Sequence, residues 1–201
     1  MSEPTSQIRV AVLTGAQLTP ALPELARLRI TVFRDFPYLY DGTLAYEEAY
    51  LAKFAAGCGA VCVVAYDGNV IVGASTGAPM AEHASEFGQP FRAKGYDVRT
   101  IFYCSESVLL KSHRGHGLGH TFFDEREAHA RRLGGFTKST FSSVVRPADH
   151  PLRPADYRPL DGFWTKRGYA KADGLVASYS WKDIDQPVET EKQMQFWIKD
   201  L

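Results

Sequence analysis

No run of apolar residues in this sequence approaches the roughly 20 that cross a bilayer as a helix, so no membrane span and no membrane partner are expected. Charge of one sign is lacking too. Lys and Arg number 23 and Asp and Glu 23, which leaves no net field to draw nucleic acid. The opening MSEPTSQIRV carries an acidic residue and no apolar stretch, which argues against a secretory leader and for a cytoplasmic protein. Cysteine is scarce. Cys58, Cys62 and Cys104 are odd in number and lie in or beside apolar, strand-like segments, so they read as small buried hydrophobes rather than a redox pair or metal ligands. Repeats, low-complexity tracts and linkers are also missing. The 201 residues therefore amount to one domain, residues 1–201, long enough to bury a core, and 45% hydrophobic with 23% charged residues is a globular composition.

What is present alternates strands with helices. IRVAVLTG (8–15) is a short β-rich run closed by Gly15. LPELARLRITVFRDF (22–36) sets Leu22, Leu25, Leu28, Val32, Phe33 and Phe36 at helical spacing and stops before Pro37. LAYEEAYLAKFAAG (44–57) reads as a second helix. Two β-branched runs across Asp67-Gly68-Asn69 give a hairpin. Residues 81–100 read as one helix and a loop, and IFYCSESVLLK (101–111) as a strand. FTKSTFSSVVR (136–146) is strand-like, residues 147–159 hold four prolines and cannot be regular, LDGFWTKRG (160–168) is a short helix, and LVASYSWKDI (175–184) is a strand. The ending QMQFWIKDL fits both periods. Strands and helices around one core imply an α/β or α+β fold.

The stretch LLKSHRGHGLGHTFFDEREAHARRLGG (109–135) packs Gly115, Gly117 and Gly119 beside His113, His116 and His120 and then turns helical. A phosphate cradle, a metal site and a plain strand-to-helix connection all compete for it. A dinucleotide fingerprint fits poorly, because His120 stands where glycine is wanted, and no Gly-Lys-Ser/Thr follows for a Walker loop. His116 and His120 are four apart, yet no Cys, Asp or Glu ligand falls at a familiar spacing nearby, so no metal is expected. The helix LGHTFFDEREAHARRL should turn Leu118, Phe122 and Leu133 inward, with Asp124 and Glu125 early and Arg131 and Arg132 late, as its dipole prefers. Its first amides point into a side-chain-poor turn, where an anion fits.

The pattern Arg114-x-x-Gly117-x-Gly119, after a strand and at a helix start, resembles the coenzyme-A motif of the GNAT superfamily of N-acetyltransferases. The order of elements fits along the whole chain, and GFWTKRGY looks like the superfamily's late short helix and following strand. The resemblance implies a single GNAT-like domain: a mixed, mostly antiparallel sheet of about seven strands flanked by helices, with the last residues forming a strand in a long hairpin. It implies acetyl-CoA as co-substrate and no metal. The cofactor residues would be Val108, Leu109, Leu110, Lys111, Arg114, Gly115, His116, Gly117, Leu118, Gly119, His120, Thr121 and Trp164, with the turn's amides on the diphosphate and Lys111 and Arg114 adding positive charge. One departure stands out. Trp164 occupies a place where the superfamily often has a tyrosine that protonates the leaving thiolate, and an indole does not ionise usefully.

Transfer of acetyl to an amine needs a base. Strand alternation through IFYCSESVLL puts Phe102, Cys104, Glu106, Val108 and Leu110 on one face, making Glu106 a carboxylate among apolar neighbours. The resemblance makes Glu106 the base; the competing reading is a structural ion pair with Arg29 or Arg34. FRDFPYLYDGTLAYEEAY (33–50) interleaves aromatics with acids, and Asp35, Tyr38 and Tyr40 are candidates to receive a cationic primary amine of a small molecule or a protein. The same aromatics would serve equally as core plugs. A non-catalytic acyl-CoA-binding sensor or interaction module is the alternative function. The acceptor, the acyl length and the choice between monomer and homodimer stay open.

Overall fold

The computed structural model describes residues 8–83 and 85–201. MSEPTSQ, on which the argument against a leader rests, lies outside them. Strand β1 (Ile8–Thr14) leads through two short 3-10 turns into helix α1 (Leu22–Phe33). Leu25 and Leu28 are buried as the periodicity expects, but the helix ends at Phe33. Phe36 lies beyond it, before a cis Phe36–Pro37 peptide, because a residue preceding proline avoids helical geometry. Helix α2 (Leu44–Ala55) starts at Thr43, whose hydroxyl accepts from the N–H of Tyr46 at 3.4 Å, a side-chain N-cap. Strands β2 (Val61–Asp67) and β3 (Val70–Pro79) form the hairpin, with Gly68 supplying the positive φ of its turn.

Helix α3 (Ser85–Ala93) precedes β4 (Ile101–Leu109), and α4 (Leu118–Leu133) follows that strand. Then come β5 (Lys138–Val144), the irregular stretch 145–160, α5 (Asp161–Lys166), β6 (Ala170–Lys182) and β7 (Glu189–Asp200). The final residues are a strand, paired with both β5 and β6. Strand β6 begins at Ala170 rather than Leu175, with a register irregularity between Lys171 and Val176.

The seven strands make one sheet in the order β1-β2-β3-β4-β5-β7-β6, antiparallel throughout except for the parallel β4–β5 pair. One face packs under α1 and α2, with Leu25, Leu28 and Leu51 against Cys62, Val64 and Val108, and under α3, with Phe91 against Ile101 and Phe196. The other face carries α4 and α5, with Leu118 and Phe122 on Val63 and Val72, and Phe123 beside Phe141 and Tyr169. Two expectations fail on burial. Leu133, in the last turn of α4, is 46% exposed, and the inward positions there are Phe123, Arg126 and Ala130. Cys62 and Cys104 are buried, but Cys58, in the turn between α2 and β2, is exposed.

Candidate active site

Helix α4 begins without any side-chain cap. Gly117 stands at the N-cap with φ 79° and Gly115 at φ 85°, conformations that a side chain would strain. A Cβ at either would meet no atom within 4 Å, so the space above the turn is open. The N–H groups of His120 and Thr121 go to the Gly117 carbonyl (2.9 and 3.3 Å), whereas the amides that start a helix have no intrahelical acceptor. No acid lies in the first turn of α4; Asp124, placed early from the sequence, sits in the second turn and is held by Arg167 at 2.6 Å. The turn thus offers donors and a positive dipole end with no carboxylate of its own, the chemistry that holds a phosphate.

The side chains around this turn are tied to neighbours. Lys111 pairs with Asp35 at 3.1 Å, and the Arg114 Nε donates to the carbonyl of Leu109 at 3.2 Å. His113 contacts Asp67 of the β2–β3 hairpin through Nε2 (3.1 Å), while His120 Nδ1 accepts from Arg167 (3.2 Å). The three histidines therefore diverge rather than converge. Leu118 is buried and Thr121 half-buried, while His116 is exposed.

Directly before the turn, β4 parts from β5. The two strands pair over Ile101–Lys138, Phe102–Ser139 and Tyr103–Thr140, and no further pair joins them. Glu106 follows within the parted stretch. Its setting differs from simple alternation because β4 bulges there: Thr76 pairs with Glu106 and Ala78 with Tyr103, so Cys104 and Ser105 together face Gly77. An extra residue inverts the faces beyond it. Phe102 and Cys104 pack beneath α4 with Phe123, whereas Val108 and the Glu106 side chain turn to α1. The single face expected from Phe102 to Leu110 is thereby corrected.

Arg126 of α4, 1% exposed, secures the bulge. Its Nη1 donates to the carbonyls of Thr76 (3.1 Å) and Glu106 (3.0 Å), its Nη2 to the Ser107 hydroxyl (3.0 Å) and its Nε to the carbonyl of Phe122 (3.1 Å). A guanidinium thus covers carbonyls that a broken ladder leaves without partners.

The Glu106 side chain, 9% exposed, meets Arg29 of α1: Nη1 lies 2.6 Å from Oε1. Its Oε2 lies 3.5 Å from the Tyr50 hydroxyl of α2. The Nε of Arg29 donates to Glu47, which is fully buried. Burial alone would depress the Arg29 guanidinium, but Glu106, with Tyr50 and Glu47 behind it, outweighs burial and its pKa is raised. Arg29, Thr76 and Glu106 also line a cavity of about 10 Å³ with Leu25, Leu51, Ala74 and Val108, the size of a single water.

No protein-family model matches the chain, and no curated protein matches it in sequence. Solved structures do match, over nearly the whole length. An acetyltransferase of the GNAT family from Streptococcus pneumoniae superposes with a TM-score of 0.58 at 14% identity, covering 97% of this chain and 100% of its own. The ribosomal-protein-alanine N-acetyltransferase from Brucella melitensis gives 0.61 at 15% identity, with 97% and 99% covered. The PaiA N-acetyltransferase from Thermoplasma acidophilum, in complex with coenzyme A, gives 0.54 at 10% identity, with 97% and 99% covered. The chain has the GNAT fold.

In this GNAT fold the remaining sequence candidates fall on two sides of Glu106. Tyr38 reaches its vicinity: burial first, then the Glu106 charge, pushes the Tyr38 hydroxyl up to about 12. Its ring lies against Phe33 (4.6 Å), and its carbonyl accepts from Arg146 (2.7 Å) and from the Trp181 indole (3.0 Å). Tyr40 turns inward, and burial, with Glu47 next, raises its pKa. Asp35 points instead to Lys111. Trp164 packs on Phe141 (5.0 Å) and Trp197 (5.1 Å), while its neighbour Phe163 reaches His120 (4.9 Å) in the first turn of α4.

Three groups around Glu106 escaped the sequence reading. Tyr50 stands one turn from Glu47 on α2, and that spacing was the available signal. His83, near the end of β3, contacts the Ser105 hydroxyl at 3.3 Å and Tyr103 edge-on at 4.7 Å. Burial pushes its imidazole down to about 4 despite the Glu106 charge, so it stays neutral at pH 7. Arg126 was legible only as a charge on the apolar side of a helix, beside Phe122 and Phe123.

Proposed function

We propose that the protein is an acetyl-CoA-dependent N-acetyltransferase acting on a primary amine. The observation that carries this reading is a continuous unit: a strand that parts from its parallel neighbour, a buried carboxylate in the parted stretch, and an uncapped, glycine-rich helix start immediately after. Acetyl-CoA would supply the acetyl group as a thioester. The turn 115–117 and the first amides of α4 hold the diphosphate, with Lys111 and Arg114 adding charge beside it, and Val108, Leu109 and Leu110 run along the parting. Glu106 takes a proton from the incoming ammonium, as transfer needs a neutral amine. Tyr38 and Tyr50 flank that carboxylate, and an aromatic wall beside an acid suits a cationic acceptor. Trp164 assigns no acid to the departing thiolate, which leaves as a weak base.

One observation favours a second reading, a non-catalytic acyl-CoA-binding module: Glu106 is engaged by Arg29, the ion pair that the sequence left open. Thiol release from acetyl-CoA, measured with a panel of primary amines, separates the two. Amine-dependent release supports transfer, whereas tight binding of acetyl-CoA with no release from any amine supports the binding module.

A further inference from the structure

The cluster beside Glu106 holds two carboxyl groups and one guanidinium, all contributed by elements of one sheet face. Arg29 comes from α1, Glu47 from α2 and Glu106 from β4. The other titratable groups facing it are kept neutral. Burial raises Tyr50 of α2, Cys62 of β2, Tyr103 of β4 and Tyr179 of β6, raises Tyr38 and Tyr40 of the 34–43 loop, and lowers His83. Arg126, the nearby cation from α4, directs its donors to main-chain carbonyls and to Ser107. Among the described residues, Arg29 therefore decides how much positive charge the Glu106 carboxylate meets.

The orientation of Arg29 is the telling feature. A free guanidinium beside a carboxylate closes on both oxygens with two parallel N–H bonds. Here Nη1 approaches Oε1 as an ion pair but off the line of a hydrogen bond, and both atoms lack an aligned partner. The Nε is fixed on Glu47, which is fully buried and cannot follow Arg29 elsewhere. One oxygen of Glu106, Oε2, is left facing Tyr50 at the outer limit of hydrogen bonding.

We propose that Glu47 is a positioning residue for Glu106. By holding the Nε edge of Arg29 it confines the guanidinium to one oxygen of Glu106 and keeps Oε2 open to the ammonium of the acceptor. The inference rests on the acetyltransferase reading for its catalytic consequence, while the geometric part stands without it. Losing Glu47 frees Arg29 to chelate Glu106, which would neutralise the carboxylate and occupy both oxygens.

The test is Glu47→Gln, which keeps the shape and removes the charge. Crystal structures of wild type and variant are expected to show Arg29 rotated onto both Glu106 oxygens in the variant; an Arg29 that stays on one oxygen overturns the proposal. Thiol release with acetyl-CoA and spermidine, tyramine or an amino-terminal peptide should show an unchanged KM for acetyl-CoA and a kcat lower by about tenfold. The acidic limb of the pH profile should move down by about one unit, the low end of what a contacting opposite charge does. A purely structural Glu47 would lower the melting temperature and leave that profile in place, and this result counts against the proposal. Should Glu47→Gln not fold, Glu47→Asp, shorter but charged, is expected to show the same changes in smaller measure, and no change in it overturns the idea. Glu106→Gln run in parallel keeps the two readings apart. Full turnover there removes Glu106 as the base, whereas crystallography still decides the hold of Glu47 on Arg29.

Discussion

Phe163 covers Gly119: a Cβ at Gly119 would stand 3.3 Å from the tip of the Phe163 ring. The short helix α5 therefore rests directly on the first turn of α4, and any side chain there must push it away. Gly119→Val is expected to raise the acetyl-CoA Kd at least tenfold, with a lower melting temperature. Adding Phe163→Leu should restore the melting temperature in part. Calorimetric titration and thermal denaturation check the pair, and unchanged affinity in Gly119→Val would remove this turn from the cofactor site.

Gly117 makes a different demand. Its φ of 79° is disfavoured for any L side chain, by about 1 kcal/mol, although the space around it is open. Gly117→Val combines that strain with a branched group over the helix amides. Acetyl-CoA binding in the micromolar range, roughly −8 kcal/mol, should weaken by two orders of magnitude or more in titration.

Glu106→Gln should keep acetyl-CoA affinity and cut turnover by roughly 10²–10⁴-fold. The loss should shrink at high pH, where the amine is already neutral. Because Arg29 also loses its partner, a fall in stability is expected beside the kinetic loss. A fall in stability with an unaltered pH–rate profile would assign Glu106 to structure alone.

Arg126→Met is expected to destabilise the protein by about 3–5 kcal/mol in denaturant titration, because it strips buried carbonyls at the bulge of their donor. Turnover should fall further than the melting temperature alone accounts for, since the Glu106 side chain depends on the bulge for its direction. A mild loss, under about 1 kcal/mol, would show that the bulge holds without its arginine.

The half-buried His83 gives a pH signature. Its pKa is pushed from 6.5 down to about 4, so the folded state resists a proton that the unfolded chain accepts. Its contribution is complete above the unfolded value and is lost as pH falls from about 6.5 toward 4, on the order of 3 kcal/mol at most. His83→Gln should flatten that part of the stability curve. His129, also lowered by burial, adds the same sign, so some slope remains. Denaturation at several pH values decides it.

The outline of the fold was legible because its punctuation is local. Asp67-Gly68 demands a hairpin, Gly117 before an amphipathic run demands a helix start, and the ending QMQFWIKDL alternates as the strand it is. The glycine turn that starts α4 was legible for the same reason, since it depends on neighbours in sequence. What sequence could not carry is register. One extra residue opposite Gly77 sends Glu106 to the α1 face, and no periodicity reports a bulge. Position at a helix end misled for Leu133, which fits the stripe yet sits where no neighbour covers it. Polar side chains between distant elements were least predictable. Asp35, expected at the acceptor, is claimed by Lys111, and Tyr40 by the Glu47 side, because such choices follow from packing between helices rather than from spacing within one.

The three-pair joint between β4 and β5 also orders events during synthesis. Strands β1 to β4 are consecutive in the chain, and each pairs with the next by an antiparallel ladder, so they can zip together as they leave the ribosome. Strands β5 to β7 form the second ladder only after the last residues emerge, since β7 is the centre of that half. A nascent chain stopped after α4 would already own the glycine turn and Glu106, yet it would lack the parting that only β5 creates. The half-made protein has its glycine turn early and its parted strands last.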